Sequence, residues 1–201
     1  MEIKLTLATP EIAISNNAKV CYATKGDKNI VKAVVGDHGH LAVLRFAYAS
    51  FHVAGISVAA QNQFVRSAHL DFLVESKRYV SADKGNFKFI MPRNLGGQLS
   101  EWMDEHFNNS MDLYKKLLAN GVKKEDARAI LPANTSTNLN VTGNLQAWYD
   151  FITLRCNSHT QYEMRKVSIE IWKQLAIEYP NVFPEDKVFA NKTLAEWIAT
   201  T

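Results

Sequence analysis

The sequence predicts a single α+β domain over residues 1–201, with a small sheet and a helix-rich C-terminal half. Three observations carry that expectation. Ile3, Leu5 and Leu7 alternate with polar residues, the period of a half-buried strand. Between Phe46 and Val58 the chain crowds aromatic, β-branched and small residues. Beyond residue 98, apolar residues recur at helical spacing.

Taken in order, the first strand ends at Pro10, which cannot donate to a ladder. Lys28 to Val35 reads as a short helix closed by Gly36-Asp37-His38-Gly39. A strand through Ser50 to Val58 leads into a short helix from Ala59 to Ala68. Phe87 to Met91 is a second strand candidate, bounded by Lys84-Gly85-Asn86 and Pro92. Leu99, Trp102, Met103, Phe107, Met111, Tyr114, Leu117 and Leu118 then mark a long helix stopped by Gly121. Lys124 to Ile130 is a short helix cut by Pro132, and Thr142 can cap a helix with Leu145, Trp148, Tyr149 and Ile152 on one face. A last helix runs from about Thr160 to Tyr179 and stops before Pro180. No repeat, low-complexity tract or linker interrupts the chain.

Composition narrows the function classes. With 201 residues and 47% apolar content, the chain can bury a core, which excludes disorder. No run reaches the roughly 18 apolar residues of a membrane span, and no basic, apolar, then small-residue leader opens the sequence. A soluble, cytoplasmic protein is expected. Cys21 and Cys156 are far apart and outside any CxxC pair, so both are expected as reduced core thiols. The net charge of +3 is modest and the cations are scattered, which argues against a nucleic-acid surface. It suits a few cations converging on one small phosphorylated ligand.

Several residues have the chemistry for such a ligand. In an extended segment Ser76 and Arg78 would point to one side, offering a hydroxyl and a forked guanidinium together. Asn144 and Arg155 lie eleven residues apart, about three helical turns, and so share a helix face. On the residues alone, the favoured partner for Arg155 is an internal carboxylate such as Asp150 or Glu163. His38 and His40 flank Gly39, but only Asp37 stands near them, so no metal site is expected. His69 and Asp71 have the spacing of a weak acid–base pair, and Cys156 beside Arg155 is a conceivable thiol nucleophile, with a buried helix cysteine the simpler reading.

The stretch Gln63-Phe-Val-Arg66-Ser67-Ala68-His-Leu-Asp71-Phe-Leu73-Val-Glu75-Ser76-Lys-Arg78-Tyr79 resembles the signature of flavin-dependent thymidylate synthases, R-H-R-x-x-S-x-N-x-x-S-x-R-Y. Arg66 opens that frame, and Ser76, Arg78 and Tyr79 close it at the same distances. Ser67, Ala68, Asp71 and Leu73 stand where the family has His, Arg, Ser and Asn. Arg128 shortly before Leu131-Pro132, then Asn144, Phe151, Leu154-Arg155, Gln161 and Glu163, is similar to the family's C-terminal pattern. Ala18-Lys-Val-Cys21-Tyr22 and Gly39-His40 add further points, so the resemblance spans about residues 18 to 180.

The resemblance implies a homotetramer with active sites shared between subunits. Its reaction would be C5 methylation of dUMP, with methylenetetrahydrofolate giving the methylene group and reduced FAD the hydride, NADPH recharging the flavin. Carried over residue by residue, Gln63, Arg66, Ser76, Arg78, Arg128 and Arg155 are substrate-binding, with Ser76, Arg66 and Arg155 nearest the chemistry. His40, Arg45, Ser67, Asn144, Gln146 and Asp150 take the flavin positions. Here the chain departs from the pattern: Ala42 replaces a hydroxyl residue, Arg45 a Glu, Phe46 a His and Gln146 an Arg. Changes that gather on the flavin side and spare the nucleotide side leave two alternatives. One is a folate-dependent hydroxymethylase that omits the reduction; the other is a catalytically silent pyrimidine-nucleotide binder.

Overall fold

Alternating burial along Glu2–Ala8 (β1) begins an antiparallel sheet in a computed structural model that describes residues 1–82 and 87–201. Its other strands are Tyr48–Ser57 (β2), Leu70–Val74 (β3) and Ser136–Asn144 (β4), in the order β1-β2-β4-β3. One face carries Phe51, Val53, Leu139 and Val141 into the main core. The other presents Ser50, His52, Asn140 and Thr142, joined across strands by Ser50 Oγ to Thr142 Oγ1 (2.7 Å) and His52 Nδ1 with Asn140 Oδ1 (2.8 Å). A polar second face explains why β4 carries apolar residues only at alternate positions.

Seven α-helices are seen among the described residues: Glu11–Tyr22 (α1), Val58–Phe64 (α2), Gln98–Ala119 (α3), Lys124–Ala127 (α4), Leu145–Arg155 (α5), Tyr162–Glu178 (α6) and Leu194–Ala199 (α7). Helix α5 packs on the inner sheet face through Trp148, whose ring meets Phe51 edge-on at 5.0 Å and whose Nε1 donates to Ala49 O at 3.0 Å. Helix α6 shields the β1 edge. Gln174 accepts from Leu5 N (2.7 Å) and donates to Ile3 O (2.8 Å), so its amide substitutes for a neighbouring strand. Helix α3 and Phe87, Phe107, Met111, Tyr114 and Ala127 form a second, smaller core. That core does not reach the start of α3, where Leu99 and Trp102 are 50% and 58% exposed despite their helical spacing.

Several expectations need correction. The helix expected over 28–35 is a π-helical segment at Lys32–Asp37, followed by a 3-10 segment at Leu41–Phe46. The helix expected to reach Ala68 stops at Phe64, and residues 65–69 turn the chain into β3. Phe87 to Met91 forms only an isolated bridge, Phe89 to Thr135, and its boundary at Lys84–Asn86 lies outside the described residues. Thr142 is inside β4, and the cap of α5 is Asn144, whose Oδ1 accepts from Ala147 N at 2.9 Å. Asn144 therefore sits at the helix entrance rather than on its face. Cys156 is buried, as expected, but Cys21 is exposed. Strands β3 and β4 and helices α1 and α7 have no counterpart among the elements expected from the sequence.

One glycine is required by close approach. A Cβ on Gly143, which pairs with Leu70, would lie 2.4 Å from Leu70 Cδ2 and 3.2 Å from His69 O. His69 itself adopts φ 64°, a left-handed conformation uncommon outside glycine.

Candidate functional site

Helix α2 positions the first group of site residues. Its cap is Ser57, whose Oγ accepts from Ala60 N at 3.0 Å. Glu163, in the first turn of α6, accepts from Ser57 N at 2.7 Å and from Ser57 Oγ at 2.5 Å. A carboxylate at a helix N-terminus satisfies orphan donors and opposes the positive end of the dipole. Gln63, one turn further along, donates from Nε2 to Gln161 Oε1 at 2.5 Å. Its backbone carbonyl accepts from Arg155 Nη2 at 2.9 Å.

Arg155 is the last residue of α5 and is half-buried. Its Nε is buried with no hydrogen-bond partner. The salt bridge expected for it is not formed: Glu163 is engaged by Ser57, and Asp150 Oδ1 accepts from Gln146 Nε2 at 2.9 Å. Burial, then the nearby Arg66 charge, lowers the Arg155 pKa, yet a guanidinium stays protonated at any ordinary pH. Arg66 is exposed and, among the described residues, makes no ion pair. Two neighbouring cations, one with a buried unsatisfied donor and neither with a carboxylate, have the chemistry to take an anion.

A second group is separate. Residues 77–79 form a turn, not the extended segment expected, because Ser76 Oγ accepts from Arg78 N at 3.3 Å and Ser76 O from Tyr79 N at 3.1 Å. Ser76 and Arg78 therefore do not point together by strand alternation. Arg78 instead grips Glu125 of α4, with Nη2 at 2.8 Å and Nε at 3.1 Å. Arg128 donates from Nε to Glu125 O at 3.1 Å. Arg78 and Arg128 thus gather around Glu125, with Ser76 in the turn before Arg78, and no hydrogen bond or ion pair among the described residues joins them to Arg66 and Arg155.

The residues expected to hold a cofactor fall into three places. Arg45, Asn144, Gln146 and Asp150 line one cavity of about 320 Å³, together with His69 and Ala147. His40 is outside that lining; its Nδ1 hydrogen-bonds the Tyr22 hydroxyl. Ser67 is also outside it, with a buried hydroxyl that has no partner. No hydrogen bond joins His69 to Asp71 among the described residues, so the acid–base pairing is not seen. His69 instead enters the cavity, a place its positive φ marks once the turn is known. Cys156 lies 3.3 Å from Ser168 Oγ, and burial pushes its thiol up to about 11, which removes it as a neutral-pH nucleophile.

The family model described as thymidylate synthase complementing protein matches residues 4–181. The chain belongs to that family. Within it, the flavin-dependent thymidylate synthase of Geobacter sulfurreducens is 32% identical over 200 residues, covering 91% of this chain and 85% of the relative. That of Mycobacterium marinum is 32% identical over 169 residues, covering 76% and 67%. That of Sulfurisphaera tokodaii is 31% identical over 146 residues, covering 73% of this chain and 57% of the relative. The thymidylate synthase complementing protein family is one of enzymes, and no described helix of this member is long and apolar enough to cross a membrane.

Membership gives the two cationic groups a common frame. Arg66, Ser76 and Arg78 lie in one signature, yet the turn at 77–79 and the hold of Glu125 divide them within a single chain. Residues that sequence reasoning did not place in the site are Glu163 and Gln161, which tie α6 to α2, and His69. The signal for Glu163 was Ser57 ahead of a short helix, a capping position awaiting its partner.

Proposed function

We propose that the chain is a single catalytic domain over residues 1–201 that methylates C5 of dUMP, using methylenetetrahydrofolate and reduced FAD. The observation that carries this reading is the Arg66–Arg155 pair without a carboxylate. The pair supplies charge for the phosphate or a base carbonyl, and Gln63 holds Arg155 in place through its backbone carbonyl. Cations near the uracil carbonyls draw density onto oxygen, which makes C5 a usable nucleophile toward the methylene carbon. Ser76, Arg78 and Arg128 complete such a site when contributed by a second subunit of a homotetramer, in accord with their separation from Arg66 within one chain.

The cavity of Arg45, His69, Asn144, Gln146 and Asp150 fits part of a flavin dinucleotide. Arg45 offers charge to a phosphate, the Asn144 amide donor remains available beside its capping oxygen, and Asp150 retains an acceptor oxygen for a sugar hydroxyl. Bound there, the flavin supplies the hydride that completes the methyl group, with NADPH as its reductant. One cation opposed by one carboxylate is a lean cradle for a pyrophosphate, and that balance also favours a second reading, hydroxymethylation without reduction.

One assay set tests both. The synthase reading expects a flavin absorbance band on the purified protein and NADPH oxidation that depends on dUMP and methylenetetrahydrofolate. Release of the C5 proton with methylenetetrahydrofolate but no flavin and no NADPH oxidation transfers the assignment to the hydroxymethylase. No C5 exchange under either condition rejects both.

A further inference from the structure

We propose a second ligand site, for a small amphipathic anion, in the cavity between the Ile90–Arg93 segment and the start of α6. The cavity holds about 370 Å³, within the lower part of the roughly 300–1,000 Å³ range of small-ligand sites. Ile90, Met91 and Pro92 line it with apolar surface, while Arg93, Tyr162 and Lys166 bring charge and an aromatic ring. None of Gln63, Arg66 or Arg155 lines it, nor does any residue of the Arg45–Asp150 cavity.

Its electrostatics are one-sided. The Arg93 guanidinium lies 4.4 Å from the Tyr162 ring centroid and Lys166 Nζ 5.6 Å. Among the described residues neither cation has an ion pair. Glu163 is on the wall, but both its oxygens already accept from Ser57. Arg165 adds a third cation 5.9 Å from the same ring, with Nη1 turned to the carbonyls of Asn157, Ser158 and Thr160. The matching ligand carries a carboxylate or phosphate for Arg93 and Lys166 on an apolar body that covers Met91 and Pro92.

Two wall residues also hold helix α2. Gln161 receives Gln63 Nε2, and Glu163 receives the α2 cap Ser57. A ligand that moves the start of α6 therefore moves Gln63, and so changes nucleotide affinity. This coupling rests on the proposed nucleotide site; the anion site itself does not.

The test is calorimetric titration of the full chain with phenyl phosphate and benzoate, with phenol as the uncharged counterpart. We expect both anions to bind and phenol to bind about tenfold more weakly or less. Arg93→Ala/Lys166→Ala should weaken both anions about tenfold while leaving dUMP affinity without anion unchanged. Saturating benzoate should shift dUMP affinity at least about twofold in the parent and not in the double variant. Absence of anion binding at millimolar concentration, or equal binding by the double variant, overturns the site. So does phenyl phosphate binding that Arg155→Ala alone removes. Anion binding with an unmoved dUMP affinity overturns the coupling and upholds the site, and a chain that binds benzoate but not dUMP refutes the nucleotide reading instead.

Discussion

Arg66 lies near enough to Arg155 to lower its pKa, and no acidic side chain pairs with either among the described residues. Like charges held together cost stability until an anion arrives. Arg66→Ala should therefore leave the urea midpoint unchanged or slightly raised. It should weaken dUMP binding by about 1.5–3 kcal/mol, the range for a charged hydrogen bond. A variant that binds dUMP as the parent does removes Arg66 from the site.

Glu163 links two helices through one serine. Glu163→Gln places an N–H against a donor of Ser57 and should destabilise the fold by about 1–3 kcal/mol. Because α2 carries Gln63, nucleotide affinity should fall as well. Denaturant melts and dUMP titrations of the same preparation read the two effects. Full stability in this variant would show that the capping carboxylate is dispensable.

Asp150 opposes any phosphate placed in the Arg45 cavity. Since its side chain is exposed, the repulsion is screened and modest. Asp150→Asn keeps the partner for Gln146 and should raise FAD affinity about two- to fivefold, measured by flavin fluorescence quenching. A fall in affinity would mean that the carboxylate accepts a ligand hydroxyl and matters more through that bond than through its charge.

Alkaline pH should loosen the molecule. Burial raises Cys156 from 9.0 to about 11 and, more than any other cause, raises Tyr179 as well. Between those values the unfolded chain releases protons that the folded chain keeps, so stability falls as pH rises. Cys156 alone accounts for up to about 3 kcal/mol of that loss, complete once pH exceeds the folded value. Urea midpoints at pH 8 and pH 10.5 check the slope, and Cys156→Ala should flatten it. At pH 8 iodoacetamide should label exposed Cys21 well before Cys156.

Periodicity made α3 and α6 legible within about two residues at each end, because each carries an apolar stripe at helical spacing, buried along α6 and from Phe107 onward in α3. Strand β4 was not legible: Asn138, Asn140 and Thr142 face the polar side, so Ser136–Asn144 resembles a loop before a helix. Helix α7 had a visible start in Thr193-x-x-Glu196, a capping box that the structure forms in both directions. In the site, the family resemblance pointed to Arg155 and Gln63 but not to their contact, made across 92 positions. The hold of Glu125 on Arg78 spans 47 positions and lies beyond any motif. Strand alternation failed at Ser76–Arg78 because a serine hydroxyl competes for the backbone N–H and closes a turn.

The absent side chain at Gly143 acts as a gauge for the whole receptor. Arg66 hangs from the turn that leads into Leu70, and Arg155 stands eleven residues past the Gly143–Asn144 junction at the far end of α5. The turn that carries Arg66 is therefore constrained where these strands touch, at a contact that leaves a Cβ on residue 143 only 3.2 Å from His69 O. Alanine at 143 would keep every side chain of the proposed site but press on the turn that carries Arg66, so the expected change is in which anions fit rather than in the donors available.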